Sequence, residues 1–162
     1  DGEGSGRATD VFPTSSMEVW RSEYHELLDG DLIHPRYGCL AIRSSGKLII
    51  IDTGMNGPDA RLLDDMLAKG IDRESVDLVV TTHLHPDHVG WNLSSGTPTF
   101  PNARYLVPKH DWDYWTQPSV MPDAPHIAES VLPLDEARVL DLIAGEYDVT
   151  PELKTEPTPC LY

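Results

Sequence analysis

The feature that most narrows what this chain can become is a junction. An apolar, β-branched run at residues 76–82 leads directly into His83-Leu84-His85-Pro86-Asp87-His88. The run has the character of a buried strand, and a buried strand must be covered by other elements. It therefore delivers four strong metal-binding side chains, packed into six positions, to the end of a strand inside a layered α/β domain.

The surroundings fit that reading. Residues 39–42 and 48–51 are short apolar runs joined by the turn-like Ser44-Ser45-Gly46-Lys47, a hairpin pattern whose second strand ends in Asp52-Thr53-Gly54. A helix follows: Pro58 suits its first turn, Leu62, Leu63, Met66 and Leu67 make one apolar stripe, and Gly70 suits its C-terminal cap. Asp59 near its start and Lys69 near its end complement the helix dipole. Hairpin, helix and strand in this order imply a mixed sheet with helices packed outside.

Beyond the histidines, residues 89–102 have the Gly, Ser, Thr and Pro content of a loop. A strand is expected at 103–107, a short helix at 109–115, a helix interrupted at Pro133 over 127–134, and short strands at 138–143, 147–149 and 153–155. The Gly-rich, polar residues 1–10 read as a flexible lead-in to a single domain over 11–162.

In an extended segment His83 and His85 project to the same side and can converge on one ion. Pro86 disfavours simple continuation of the strand, and a turn there can aim Asp87 and His88 at a second ion. Neutral imidazole and carboxylate suit zinc and related divalent metals. Two neighbouring ions can lower the pKa of water toward neutrality and polarise a carbonyl or phosphoryl oxygen.

Composition removes other classes. With 27 acidic against 12 basic side chains the formal charge is -15, and no basic cluster is present, which argues against nucleic acid and anionic membranes as partners. No apolar stretch approaches membrane-spanning length. Cys39, in a strand-like run, and Cys160, near the end, do not form a disulfide framework, which fits a reducing, cytoplasmic setting. No Ser sits in a nucleophile-elbow context and no Gly-rich phosphate loop occurs.

His83, His85, Asp87 and His88 match the HxHxDH signature, and by them the chain resembles the metallo-β-lactamase fold superfamily. Ile49-Ile50-Ile51-Asp52-Thr53-Gly54, Thr81-Thr82 and Val89-Gly90 extend the likeness, which runs from Gly38 to about Thr158. The resemblance implies an α/β (α+β) fold, the N-terminal half of an αββα sandwich. It implies a zinc centre of two ions, the first bound by His83 and His85 and the second by Asp87 and His88. Asp87 would also be catalytic, and Asp52 would orient the motif by hydrogen bonds without ligating. The substrate would be a small-molecule ester, lactone, amide or phosphoester attacked by metal-bound hydroxide. His88-Val89-Gly90-Trp91-Asn92 is similar to a lactonase-like and organophosphate-hydrolase-like branch, with Trp91 and Asn92 beside the substrate pocket.

Trp112, Tyr114 and Trp115 are candidates for an aromatic wall, although packing is the commoner role of such residues. His25, His34, His110 and His126 lack partners at metal-site spacing and read as surface histidines. The segment Glu156-Pro157-Thr158-Pro159-Cys160-Leu161-Tyr162 is similar to the approach to the family's Thr-Pro-Gly-His, with Cys160 and Leu161 in place of the Gly and His. The family's third His, bridging Asp and final His are not found. The expectation is thus a C-terminally truncated hydrolase with little activity by itself. The alternative is a non-catalytic metal-binding or interaction module built from half of the fold. Half a sandwich also leaves one apolar sheet face to cover, which would favour aggregation or a homo-oligomer.

Overall fold

The structure, a computed structural model, describes residues 2–58 and 60–158. Its centre is one five-stranded sheet whose strands lie side by side in chain order: β1 (Leu40–Ser44), β2 (Lys47–Ile51), β3 (Leu78–Val80), β4 (Arg104–Pro108) and β5 (Leu140–Ile143). The β1–β2 pair is antiparallel, and β2, β3, β4 and β5 run parallel. The sheet is therefore mixed, as the element order implied.

The hairpin turn is tighter than the four residues expected. Ser44 pairs with Lys47, leaving Ser45 and Gly46 as a two-residue turn, both with positive φ (49° and 78°). That geometry matches the right-handed twist of the flanking strands. Cys39 lies just before β1 and not inside it.

Helices α1 (Leu62–Ala68), α2 (Pro86–Val89), α3 (Lys109–Trp115), α4 (Pro125–Ser130) and α5 (Leu132–Glu136) lie between the parallel strands in sequence. On one sheet face Leu48, Ile50, Val79 and Tyr105 pack with Leu62 and Met66 of α1, Phe100, and Leu134 of α5. Each fully buried aliphatic side chain here contributes roughly 1.5–3 kcal/mol of transfer free energy. Two helix expectations need correction. α1 begins at Leu62, not near Pro58, and Leu67 is 77% exposed, so the stripe reduces to Leu62 and Met66 with Leu63 at its margin. The helix expected over 127–134 is two helices broken at Val131, with Pro133 in the first turn of the second, where its missing N–H costs nothing. Asp59 lies outside the described residues, as do Cys160 and Leu161.

The opposite face carries Ile49, Leu78, Val80, Leu106 and Ile143. It is not left bare. The chain folds back as the antiparallel pair β6 (Tyr147–Thr150) and β7 (Leu153–Thr155), which sets Val149 and Leu153 on that face. The pair is tied to the first hairpin where the Ser44 hydroxyl meets Thr150 Oγ1 at 2.7 Å and Glu152 Oε2 at 2.8 Å. Between this flap and the sheet runs an open concavity of about 850 Å³, lined by Ile42, Ile51, Val80 and Ile143 among others.

Residues 89–102, expected as loop, include the end of α2 and a two-residue hairpin, Leu93–Ser94 with Thr97–Pro98. At the start of the chain, Gly2–Glu3 pairs with Arg36–Tyr37 and Gly6–Arg7 with Leu32–Ile33. A helix, Met17–Glu23, packs Trp20 against Ala8 and Ile33. Neither this helix nor those pairings was anticipated from the sequence. Among the described residues no helix is long and apolar enough to cross a membrane.

Candidate metal centre

Parallel strands end on a common edge, and ligand sites in such sheets gather outside the carboxyl ends of the strands. β2 ends into Asp52-Thr53-Gly54, β3 into Thr82 and the histidine run, and β4 into Lys109, His110 and Asp111. The sheet thus brings together three segments far apart in sequence.

Asp52 takes a left-handed backbone conformation (φ 55°), which Asp tolerates better than most residues. The bend turns its carboxylate toward the motif. Oδ1 accepts the Thr82 N–H at 2.7 Å, while Oδ2 accepts the Thr82 hydroxyl at 2.8 Å and His88 Nδ1–H at 2.7 Å. With Nδ1 committed to Asp52, His88 presents Nε2, which stands 3.4 Å from Asp87 Oδ2. The Asp52 hydrogen bond raises the pKa of His88 above its ordinary value, outweighing the opposing effect of burial.

Pro86 opens α2, and this single turn carries Asp87 and His88. The turn is stitched to the end of β2: Thr53 N–H donates to the His88 carbonyl at 2.8 Å and Gly90 N–H to the Gly54 carbonyl at 2.8 Å. The Thr53 hydroxyl accepts from Trp91 N–H at 3.2 Å and meets Asn92 Oδ1 at 3.1 Å. Gly90 is required by close approach. A Cβ there would stand 2.4 Å from Asn56 N and 2.7 Å from Gly54 O, both backbone atoms.

At the other end of the motif, His83 Nε2 and His85 Nδ1 are 3.1 Å apart. The His83 ring lies 4.6 Å from that of His85 and 3.9 Å from that of His88, centroid to centroid. Burial, then the neighbouring His88 and His85, lowers the His83 pKa and so favours the neutral imidazole that ligates metal. Two nitrogens held at about 2.1 Å by a tetrahedral ion stand roughly 3.4 Å apart, so the His83/His85 and Asp87/His88 spacings both suit chelation by a pair. Among the described residues, however, no three His, Cys, Asp or Glu side chains come together as a group able to hold a metal ion. The residues fit one side of a metal centre.

Leu84, between the two histidines, is fully buried, and its backbone N–H and C=O are both engaged. Its N–H donates to Asp111 Oδ2 at 2.8 Å, and its carbonyl accepts from His126 Nε2 at 2.9 Å. His126 is therefore no free surface histidine. Burial lowers its pKa despite that hydrogen bond, and its ring packs 5.4 Å from Trp115, which in turn meets His85 at 5.5 Å. His110 and His25, by contrast, have side chains 80% and 74% exposed. Trp112 and Trp115 pack against the core around Leu84 and Val89, and Tyr114 stacks edge-on against Trp115 at 5.2 Å. Trp91 packs against the main core, and Asn92 is fully buried, its amide oxygen facing Thr53. Neither lines the open concavity. Cys39 is partly buried, which pushes its thiol pKa up to about 11 and makes it a poor thiolate ligand.

The chain is similar to known proteins. Over 66 residues the chain is 47% identical to mouse (Mus musculus) metallo-beta-lactamase domain-containing protein 1, covering 40% of this chain and 22% of that protein. Over 70 residues it is 36% identical to hydroxyacylglutathione hydrolase of Aeromonas salmonicida (strain A449), covering 43% and 25%. Among solved structures it is similar to the hydrolase AbOPH of the beta lactamase superfamily, with TM-score 0.73 and 20% identity over 88% of this chain and 55% of that one. It is also similar to a quorum-quenching N-acyl homoserine lactone lactonase, with TM-score 0.65 and 19% identity over 98% and 60%. The chain thus spans about a quarter of the two sequence relatives and 55–60% of the two structures, roughly half of their fold. The profile of the metallo-beta-lactamase superfamily matches residues 39–160, from the approach to β1 through the whole motif and the β6–β7 flap, and the chain belongs to that superfamily.

Proposed function

We propose that this polypeptide is a metal-binding half-module of a metallo-β-lactamase-type hydrolase. His83 with His85, and Asp87 with His88, supply one side of a divalent-metal centre, zinc being the best match to their chemistry. Asp52 orients His88 by holding Nδ1, so that Nε2 faces the site. Hydrolysis of an ester, lactone, amide or phosphoester needs further ligands that the described residues do not bring.

The observation that carries this reading is the pairing of donors: 3.1 Å between His83 Nε2 and His85 Nδ1, 3.4 Å between His88 Nε2 and Asp87 Oδ2, and no third donor for either pair among the described residues. When bound, zinc supplies an activated water and polarises a carbonyl or phosphoryl oxygen. The chain's own residues do the rest: Asp52 and Thr82 set ring directions, and the Thr53 and Gly90 backbone contacts hold the turn that carries Asp87.

Calorimetric zinc titration, followed by dialysis, metal analysis and an assay on a lactone and an aryl ester, tests the proposal. The expected result is weak zinc binding, reduced in H83A/H85A and abolished when D87A and H88A are added, with turnover far below about one per second. Retention of two zinc ions together with enzyme-like turnover would overturn the half-module in favour of a self-sufficient hydrolase. That second reading is favoured by one observation, the Asp52–His88 hydrogen bond, which pre-orients a ligand as working metal sites do.

A further inference from the structure

The Leu84 backbone is the fixed point between His83 and His85, and neither of the groups gripping its N–H and C=O belongs to the signature. Asp111 comes from α3, at the end of β4, and its side chain is 4% exposed. His126 comes from α4 and reaches the next peptide from another element. The His83–Leu84 peptide is held through the Leu84 N–H, at 2.8 Å from a carboxylate, and the Leu84–His85 peptide through the Leu84 C=O, at 2.9 Å from an imidazole N–H, so neither can rotate without breaking its bond. The first peptide adjoins the Cα of His83 and the second that of His85. Rotation of either would swing one ring away from the other and lose the 3.1 Å approach of Nε2 to Nδ1.

The surrounding contacts point the same way. Leu84 itself is fully buried with Val89, Val107, Ala124, Ile127 and Val131, so the apolar side chain anchors the residue while the two polar groups set its rotation. Trp115, on the same helix as Asp111, stands between the rings of His85 and His126 and limits the tilt of both. The carboxylate of Asp111 is buried. A buried carboxylate without a hydrogen bond costs several kcal/mol, so satisfying the Leu84 N–H also stabilises Asp111 where it sits.

We propose that Asp111 and His126 are positioning residues that grip the two peptides on either side of Leu84 and thereby fix the directions of His83 and His85. The role of those two rings as metal ligands rests on the half-module reading; the grip itself does not. Both act through the backbone between the two rings.

The test uses the full chain and separates grip from metal. In the metal-free protein, hydrogen exchange of the Leu84 and His85 amides and the ring resonances of His83 and His85 are followed by NMR in D111A, D111N, H126F and H126Q. D111A is expected to speed Leu84 exchange at least tenfold and shift both ring signals, with amides of β2 and β4 unchanged. D111N keeps an acceptor oxygen and H126Q a donor near the Nε2 position, so each should recover most of the wild-type signal, while H126F should not. Zinc titration of the same proteins should show affinity weakened about 10- to 100-fold in D111A and H126F.

Unchanged Leu84 exchange and ring shifts in both D111A and H126F overturn the proposal, whatever happens to zinc. Equal losses in H126F and H126Q also overturn it, because they would mark a packing role. If D111A does not fold, the H126F and H126Q pair decides by the same comparison. If the wild-type chain binds no zinc while the exchange pattern appears as expected, the half-module reading fails and the grip stands.

Discussion

The two ends of the histidine run are held by different means. At the Asp87/His88 end control acts through the side chain's own ring, since the Asp52 carboxylate binds Nδ1 of His88 directly. At the His83/His85 end it acts through the backbone, with the Leu84 N–H bonded to Asp111 and the Leu84 C=O to His126. The difference follows from local structure. His88 sits on a single helical turn whose last residue is buried and whose neighbour Gly90 lies against another backbone, so the backbone there is already fixed and only the ring remains to be aimed. His83 and His85 lie between β3 and α2 in an irregular segment, where the peptide itself must be held.

Substitutions at each end can break this contrast. Gly90→Ala should have the largest effect, because a Cβ 2.4 Å from Asn56 N forces the α2 turn away from the end of β2. A loss of more than about 4 kcal/mol is expected in chemical denaturation, with a soluble but partly unfolded product as the extreme. Leu84→Ala comes next. It removes a fully buried side chain from the α3–α4 core, at a cost of about 2–5 kcal/mol. The contrast is sharpened if the hydrogen-bonded Nδ1 proton of His88 stays visible by NMR in that variant while the His83 and His85 ring signals move. If the His88 proton disappears as well, the two ends are one cooperative unit.

Asp52→Asn should cost about 1.5–3 kcal/mol, the range for a hydrogen bond to a charged group, and should shift the His88 ring with little change at His85. The smallest effect is on pH dependence. The folded pKa of His88 is raised, so its contribution to stability is fully present below the ordinary histidine value of 6.5 and is lost as pH rises through the folded value. For His83, whose pKa is lowered, the sign is opposite: its contribution is present above 6.5 and lost as pH falls through its folded value. Melting temperatures between pH 5 and 9 should therefore show a high-pH decline in the wild type that Asp52→Asn flattens. Persistence of the decline in the variant would assign it to another group.

Much of the site was legible because it is local. Three His and an Asp within six residues, an apolar run before them and an Asp at the end of another strand are patterns of short range, and helix α3 falls on the residues expected. Distance along the chain hid the rest. Asp111 is 27 residues from Leu84 and His126 is 42, and on their own helices they look like any polar residue of a short amphipathic segment. Leu67 was misplaced for a related reason, since four apolar positions at helical spacing do not say how far the neighbouring sheet extends over them. The β6–β7 flap was visible as two short strands, yet nothing in its composition told that it would fold back over the sheet.

Imidazoles and a carboxylate at close spacing after a buried strand, and membership of one superfamily, are readable from the residues alone. Residue identity and short-range spacing suffice for that. How those side chains are aimed is set by tertiary packing. Parallel pairing of β2, β3 and β4 ends all three strands on one edge, and this alone brings Asp52 and Asp111 to the motif from opposite sides along the chain. Hydrogen bonds of that kind depend on positions fixed to within tenths of an ångström, and packing of the whole sheet and its helices supplies such precision.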